Sequence, residues 1–145
     1  MRTSDKVRIA AFGVSVAFLG ILAVVAFRGM FGFDASKRDP EWVFRRFVRQ
    51  DVPAEVKVQS AVGHSHFGGT SITLEFTASP QTIDALIKSK GLIKEDTTQT
   101  GAFEAVDWSR MESPEYYSVH AGEFWLHRMA VDRKKGLVFY FVHSP

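Results

Sequence analysis

The sequence predicts an α+β domain that follows a membrane-spanning helix, and three features of the chain support this. Residues 9–27 form a run of nineteen residues without a charged side chain. Further along, two stretches of alternating apolar and polar residues indicate strands joined by a Gly-rich loop. Two segments with helical spacing, each beginning at a Pro, flank those strands. This order is typical of a small antiparallel sheet with helices packed on one face.

The apolar run has the length of a transmembrane helix. Its nineteen residues would rise about 28 Å as a helix, which is close to the hydrocarbon thickness of a bilayer. Arg8 and Arg28 bracket the run, and each can extend its side chain to a headgroup. We therefore expect a single-pass protein of the cell membrane, held in the lipid bilayer by residues 9–27. Gly13 and Ala17 are spaced as a small-residue pair that favours helix dimerisation, and the oligomeric state stays open.

The charges beside the run set the expected orientation. Three Lys or Arg side chains lie within residues 1–8, whereas Arg28 alone follows the run closely. Because positive flanks stay in the cytoplasm, we expect residues 1–8 to be a cytoplasmic tail and the C-terminal domain to be extracytoplasmic. The alternative to this signal-anchor is a cleaved signal peptide, since Val24 and Ala26 could precede a cleavage site. The run is longer than the apolar core of a usual signal peptide.

Residues 28–39 read as a linker, and residues 40–145 read as the α+β domain. Asp39 and Pro40 have the chemistry of an N-cap and a first helical residue, so a helix should run from there to about Gln50.

Two predicted strands follow, at residues 56–62 and 72–76, because apolar and polar residues alternate there. Ser79 and Pro80 then predict the start of a second helix, and Gly91 predicts its end as a left-handed residue.

The last third of the domain has less regular signals. Ser113 and Pro114 again have N-cap chemistry and predict a short helical turn through Tyr116 and Tyr117. The chain then closes with a hairpin of residues 124–131 and 137–143. Residues 137–142 are apolar on both faces and should form a central strand.

Composition excludes several classes of function. The predicted domain is nearly neutral, with 12 Lys and Arg against 13 Asp and Glu in residues 40–145. Nucleic-acid binding requires a basic face, so no nucleic-acid partner is expected. The chain has no Cys, which excludes disulfide scaffolds, thiolate zinc sites and cysteine nucleophiles.

Parts of the domain resemble a family of small bacterial domains that follow a membrane anchor, a signal peptide or a lipoprotein start. The resembling parts are residues 74–80 and 83–86, Trp108, the turn at residues 114–117 and the hairpin at residues 132–141. The resemblance implies an α+β fold and a membrane or exported location. No activity is assigned to that family, so it implies no catalytic residue.

The His-Ser-His sequence at residues 64–66 is the motif closest to metal chemistry. Two His residues separated by one residue can point the same way from extended backbone, which makes His64 and His66 weak candidate metal ligands. Further ligands would have to come from a carboxylate or another His. The other His residues are His120, His127 and His143. The alternative is a hairpin loop whose His residues hydrogen-bond or face water, and on balance we predict no metal.

The sequence shows no residue spacing that is typical of a catalytic site. Asp107, His120, Glu123 and His127 could cluster, but they lack the pattern of a nucleophile elbow or a carboxylate pair. We therefore predict no catalytic residue and no cofactor, and we expect the domain not to be an enzyme.

Two sets of residues are candidates for surface contacts. The binding-surface candidates are Trp108, Tyr116 and Tyr117, which could line a groove or could instead cap the open face of the sheet. The membrane-surface candidates are Arg45, Arg46 and Arg49, which could contact anionic headgroups or could instead form a solvated helix face.

The expected function is a non-catalytic binding or interaction module that a single transmembrane helix holds at the membrane. Its partner would be a protein or a ligand of the cell envelope, which the sequence does not identify. The alternative is a His-dependent metal-binding or hydrolytic domain.

Overall fold

The computed structural model describes residues 20, 32–66, 68–96 and 106–145, and for His66 the backbone alone. The predicted transmembrane helix at residues 9–27 lies outside the described residues except for Gly20. Among the described helices, none is long and apolar enough to cross a bilayer. The elements described below belong to one unit, Phe33–Pro145.

A seven-stranded antiparallel sheet organises the described part of the chain, and it confirms the predicted α+β class. Its strands are β1 (Phe33–Asp34), β2 (Lys57–His66), β3 (Gly69–Thr77), β4 (Ile93–Glu95), β5 (Glu115–Ala121), β6 (Trp125–Asp132) and β7 (Leu137–Ser144). They lie in the order β1-β2-β3-β7-β6-β5-β4. Strand β1 and the short 3-10 helix that follows it (Ala35–Lys37) lie within the segment that the sequence indicates as a linker.

Strand β7 is the central strand, as its apolar residues on both faces predict. It pairs with β3 on one side and with β6 on the other, and residues 137–142 are all buried. Successive side chains alternate between the two faces of a sheet. The face here called the helix face carries Val138, Tyr140 and Val142. The face here called the second face carries Leu137, Phe139 and Phe141.

Helix α1 (Pro40–Phe47) begins where its sequence predicts. The side chain of Asp39 accepts a hydrogen bond of 3.2 Å from the backbone N–H of Glu41, which satisfies one of the free donors of the first turn.

Helix α2 (Pro80–Lys90) follows the same rule. The Ser79 hydroxyl accepts from the backbone N–H of Thr82 at 3.3 Å. Gly91 ends the helix with φ of 65°, a left-handed conformation that glycine adopts at little cost.

The main core lies between the two helices and the helix face of the sheet. Phe44 of α1 meets Phe76 of β3 edge to face, with ring centroids 5.1 Å apart. Ile83 and Leu86 of α2 are buried in the same cluster. Both helices therefore pack on one face, as predicted.

The second face is covered in part by residues 106–114, which include a 3-10 helix (Trp108–Arg110). A smaller apolar cluster forms beneath this segment. Its buried members are Met111, Tyr116, Ala130, Leu137, Phe139 and Phe141.

The prediction of a helical turn after Pro114 was wrong. Residues 115–121 form strand β5, which pairs with β6 along its whole length. Ser-Pro is a local signal for a helix start, but Pro is equally acceptable just before a strand. Here the pairing with β6, the next strand of the same hairpin, decides the conformation.

Candidate functional site

Helix α1 presents an exposed Trp among basic side chains. Trp42 is 40% exposed, although its ring could bury a large apolar area. The guanidinium groups of Arg38 and Arg46 each lie 5.7 Å from the ring centroid of Trp42, within the range of a cation–π contact. Phe33 packs edge to face on Trp42 at 5.1 Å and lies 5.9 Å from the ring of Phe47. These five residues are called the α1 patch below.

Ion pairs distinguish the three Arg residues proposed as membrane-surface candidates. Arg45 pairs with Glu41 at 3.2 Å, and Arg49 pairs with Asp51 at 3.1 Å. Within the described part of the chain, Arg46 has no carboxylate partner. Of the three, Arg46 therefore has the charge that is most available to an external anion.

The three aromatic binding-surface candidates do not lie on one surface. The ring centroid of Trp108 lies 6.0 Å from that of Tyr116 and 6.1 Å from that of Phe139, all on the second face. Both Tyr residues are buried, and Tyr117 belongs to the helix face. Trp108 and Tyr116 therefore lie where residues capping the sheet would lie, whereas the hydroxyl of Tyr117 donates a hydrogen bond to Glu115.

His64 of β2 lies in one row with residues of two further strands. Its cross-strand neighbour is Ser71 of β3, which is in turn opposite His143 of β7. These three residues line an open groove of about 120 Å³. The side chain of the second candidate ligand, His66, lies outside the described residues.

A shared metal centre is not assembled by the side chains that are described, since no three His, Asp or Glu residues there come close enough to hold an ion. His120 pairs with Leu126, and His127 pairs with Val119 one position along. Because neighbouring positions face opposite ways, His120 lies on the second face and His127 on the helix face.

His127 belongs instead to a neutral pair. Its Nδ1 atom and the hydroxyl of Tyr140 share a hydrogen bond of 3.0 Å. Burial lowers the pKa of His127, and the charge of Lys90 lowers it further. Burial also raises the pKa of Tyr140, so both partners are uncharged at neutral pH.

Arg128 of β6 is a candidate that the sequence did not reveal. Its side chain is partly buried on the second face between Phe141 of β7 and Ser118 of β5. The Nε atom is buried and has no hydrogen-bond partner among the described residues. No carboxylate of the described residues lies within ion-pair distance of this guanidinium. Withdrawing such a charge from water costs free energy unless an anion or another acceptor compensates it.

Two exposed imidazoles lie beside Arg128. His120 of β5 and His143 of β7 are both paired with Leu126, which lies two residues before Arg128 on the same strand. They are therefore diagonal neighbours of Arg128, at backbone separations of ~7–8 Å.

The rest of the Arg128 surroundings is largely apolar. Ile93 of edge strand β4 is exposed and pairs with Ser118, so it extends the same row of the second face. The carboxylate of Glu95 on β4 accepts a hydrogen bond from the Ser118 hydroxyl of this row. Arg128, His120, His143, Leu126, Phe141, Ser118 and Ile93 are together called the Arg128 site.

The sequence contains part of the pattern that would predict the Arg128 site. Alternation within β6 places Leu126, Arg128 and Ala130 on one face, where a charge between two apolar residues is unusual. The flanking residues could not be inferred, because β5 carries the signals of a helical turn.

Comparison with protein families, curated proteins and solved structures finds no match for this chain.

Proposed function

We propose that this is a single-pass membrane protein whose α+β domain is a non-catalytic binding module, displayed outside the cytoplasm at the membrane surface. Residues 9–27 supply the anchor, because nineteen uncharged, largely apolar residues match the thickness of a bilayer.

The observation that carries the proposal is the α1 patch. An exposed Trp with two Arg side chains over its ring is a combination suited to the boundary between headgroups and hydrocarbon. Trp rings prefer that boundary, and each Arg near an anionic surface contributes about 1 kcal/mol of attraction.

The place of the patch along the chain agrees with this role. Trp42 lies fifteen residues after Phe27, the last residue of the apolar run. Phe33, which supports the Trp42 ring, lies only six residues after Phe27. A domain tethered so closely meets the bilayer surface at a high local concentration, so that weak lipid contacts become effective.

The decisive experiment uses the full chain in vesicles that contain anionic lipid, with bromine-labelled acyl chains to quench nearby Trp fluorescence. Trp42→Phe should remove most of the quenchable signal. Trp125→Phe is the matched control, because Trp125 is 39% exposed, almost the same as Trp42, but has no Arg over its ring among the described residues. Equal quenching of the parent and Trp42→Phe would contradict lipid contact by the α1 patch.

The anchor and its orientation have separate tests. The protein should stay with membranes through carbonate washing, and a C-terminal alkaline phosphatase fusion should be active. A soluble mature protein that begins near residue 27 would instead identify a cleaved signal peptide, and an inactive phosphatase fusion would place the domain in the cytoplasm.

One observation favours the His-dependent alternative. His64 and His143 flank Ser71 on three adjacent strands, which is an arrangement that could bind a metal ion or assist a hydroxyl nucleophile. Titration of the full chain with zinc tests the metal form of this alternative, and stoichiometric binding that His143→Ala abolishes would favour it over the non-catalytic module.

A further inference from the structure

We propose that the Arg128 site binds a carboxylate that carries an apolar group. This inference rests on the proposed function, a binding module at the membrane, and names the chemical class of its ligand.

Two other Arg side chains of the domain pair with carboxylates of the strands. Arg110 pairs with Glu75, and Arg133 pairs with Glu115, so each guanidinium contributes to the fold through a carboxylate. Arg128 differs, because its Nε is buried while no group of the described residues accepts a hydrogen bond from it. The described residues therefore leave this charge without a carboxylate partner, and an anion bound at the terminal amino groups of the guanidinium would supply one.

The geometry of a guanidinium favours one form of anion. A guanidinium presents parallel N–H donors that match the two oxygens of a carboxylate. Leu126 lies on the same face two residues before Arg128, and the exposed Ile93 extends the apolar surface to the edge strand, whereas Phe141 on β7 is buried in the cluster of the second face. A monoanion with a hydrocarbon substituent matches one guanidinium and this apolar surface. A phosphate, with more charge and no apolar part, does not.

A small ligand can reach the Arg128 side chain from solvent. His120 and His143 are exposed at the neighbouring position, and the Arg128 side chain is only partly buried. A small ligand can therefore approach along the row of the two imidazoles, whose N–H groups offer further donors to its carboxylate.

The test uses the full chain in detergent and hexanoate as the probe, followed by NMR at the imidazole C–H resonances of His120 and His143. Hexanoate should shift these resonances saturably, and acetate, which lacks the apolar chain, should bind more weakly. Hexanol lacks the charge and should give no saturable shift. Inorganic phosphate that binds more tightly than hexanoate would overturn the assignment to a carboxylate.

Two substitutions separate ligand binding from a structural role. Arg128→Gln should weaken hexanoate binding about ten- to a hundredfold, the usual effect of losing a charge-assisted hydrogen-bonding partner. Arg45→Gln, which removes an exposed and ion-paired Arg, should leave hexanoate binding unchanged. Arg128→Leu should melt at the same temperature as the parent or higher, because it removes a buried donor without a partner.

The proposal is overturned if Arg128→Gln binds hexanoate like the parent, or if Arg128→Leu is strongly destabilised. These outcomes are independent of membrane association, which vesicle flotation of the same preparations reports. Flotation without hexanoate binding would refute the ligand assignment alone, and hexanoate binding without flotation would refute the membrane role alone.

Discussion

The Nε–H of Arg133 donates a hydrogen bond of 2.7 Å to Oε2 of Glu115, and this contact joins the β6–β7 hairpin to strand β5. The hydroxyl of Tyr117 donates to the same oxygen at 2.8 Å, and Nζ of Lys94 on β4 lies 3.1 Å from the other oxygen. Arg133 also pairs with Asp84 of α2 at 2.9 Å. Glu115 thus joins strands β4 and β5 to the β6–β7 hairpin, and Arg133 extends this network to helix α2. The hydrogen bonds with Arg133, then Tyr117, then Lys94 lower the pKa of Glu115 to about 2.

Replacing Glu115 should change the response of the protein to acid. Because its pKa in the fold is about 2 against an ordinary 4.5, the ionised side chain stabilises the fold above pH 4.5. That contribution is lost as the pH falls from 4.5 towards 2. Glu115→Gln should cost about 1–2 kcal/mol at pH 7 and should flatten the pH dependence over this window, measured by denaturant unfolding. Glu112→Gln, which breaks a more exposed pair with Lys135, is the control. An unchanged acid response in Glu115→Gln would contradict the role given to this carboxylate.

His127 should control stability in a higher pH range. Burial lowers its pKa below the ordinary 6.5, so the folded protein holds the neutral imidazole beside Tyr140. The unfolded chain takes up a proton first, and stability should therefore fall as the pH drops below 6.5. His127→Gln cannot titrate and should show a smaller loss between pH 7 and pH 5 in thermal melts. A parent slope in His127→Gln would refute the assignment.

Phe76 and Phe124 should make very different contributions to the free energy of unfolding. Phe76 is fully buried against Phe44, whereas Phe124 is 64% exposed at the β5–β6 turn. Phe76→Ala should cost ~3–5 kcal/mol, a large share of the ~5–15 kcal/mol that stabilises a small domain. Phe124→Ala makes the same chemical change and should cost less than about 1 kcal/mol. Equal midpoints in urea for the two variants would contradict the assigned core.

The elements that could be predicted from the sequence are those with local signals. Asp39 and Ser79 precede Pro residues at the starts of α1 and α2, and both act as N-caps in the structure. Strand β7 could be placed at the centre of the sheet because it is apolar on both faces. Strand β5 depends on its pairing with β6 across the turn at residues 122–124, whereas Ser113 and Pro114 by themselves favour a helix start.

The candidate functional residues also divide into those with a local sequence signal and those without one. A basic stripe on α1 is visible as a helical pattern, so Arg46 could be proposed, but its contact with Trp42 depends on side-chain geometry. The Arg128 site required the register of β4, β5, β6 and β7 together. Alternation also places Glu75 on the polar face of β3, yet it could not show that Arg110 from the covering segment pairs with it there.

Gly63 should tolerate a side chain far less well than Gly91, which provides a matched comparison within the described residues. Both have positive φ, 108° for Gly63 and 65° for Gly91, which costs an Ala about 1–2 kcal/mol. A Cβ at Gly91 would meet nothing within 4 Å, so Gly91→Ala should lose only the stability that the positive φ costs. A Cβ at Gly63 would overlap the carbonyl oxygen of Ser71 on the paired strand β3, where the backbone cannot move without breaking the ladder.

Gly63→Ala should therefore cost about 2–5 kcal/mol, the sum of the backbone and overpacking effects. Urea unfolding of both variants measures the difference. Hydrogen exchange should also show that the loss in Gly63→Ala is concentrated in the β2–β3 pair. If Gly91→Ala were the more destabilised variant, the close approach of β2 to β3 at Gly63 would be refuted, since the Ser71 carbonyl distinguishes the two sites.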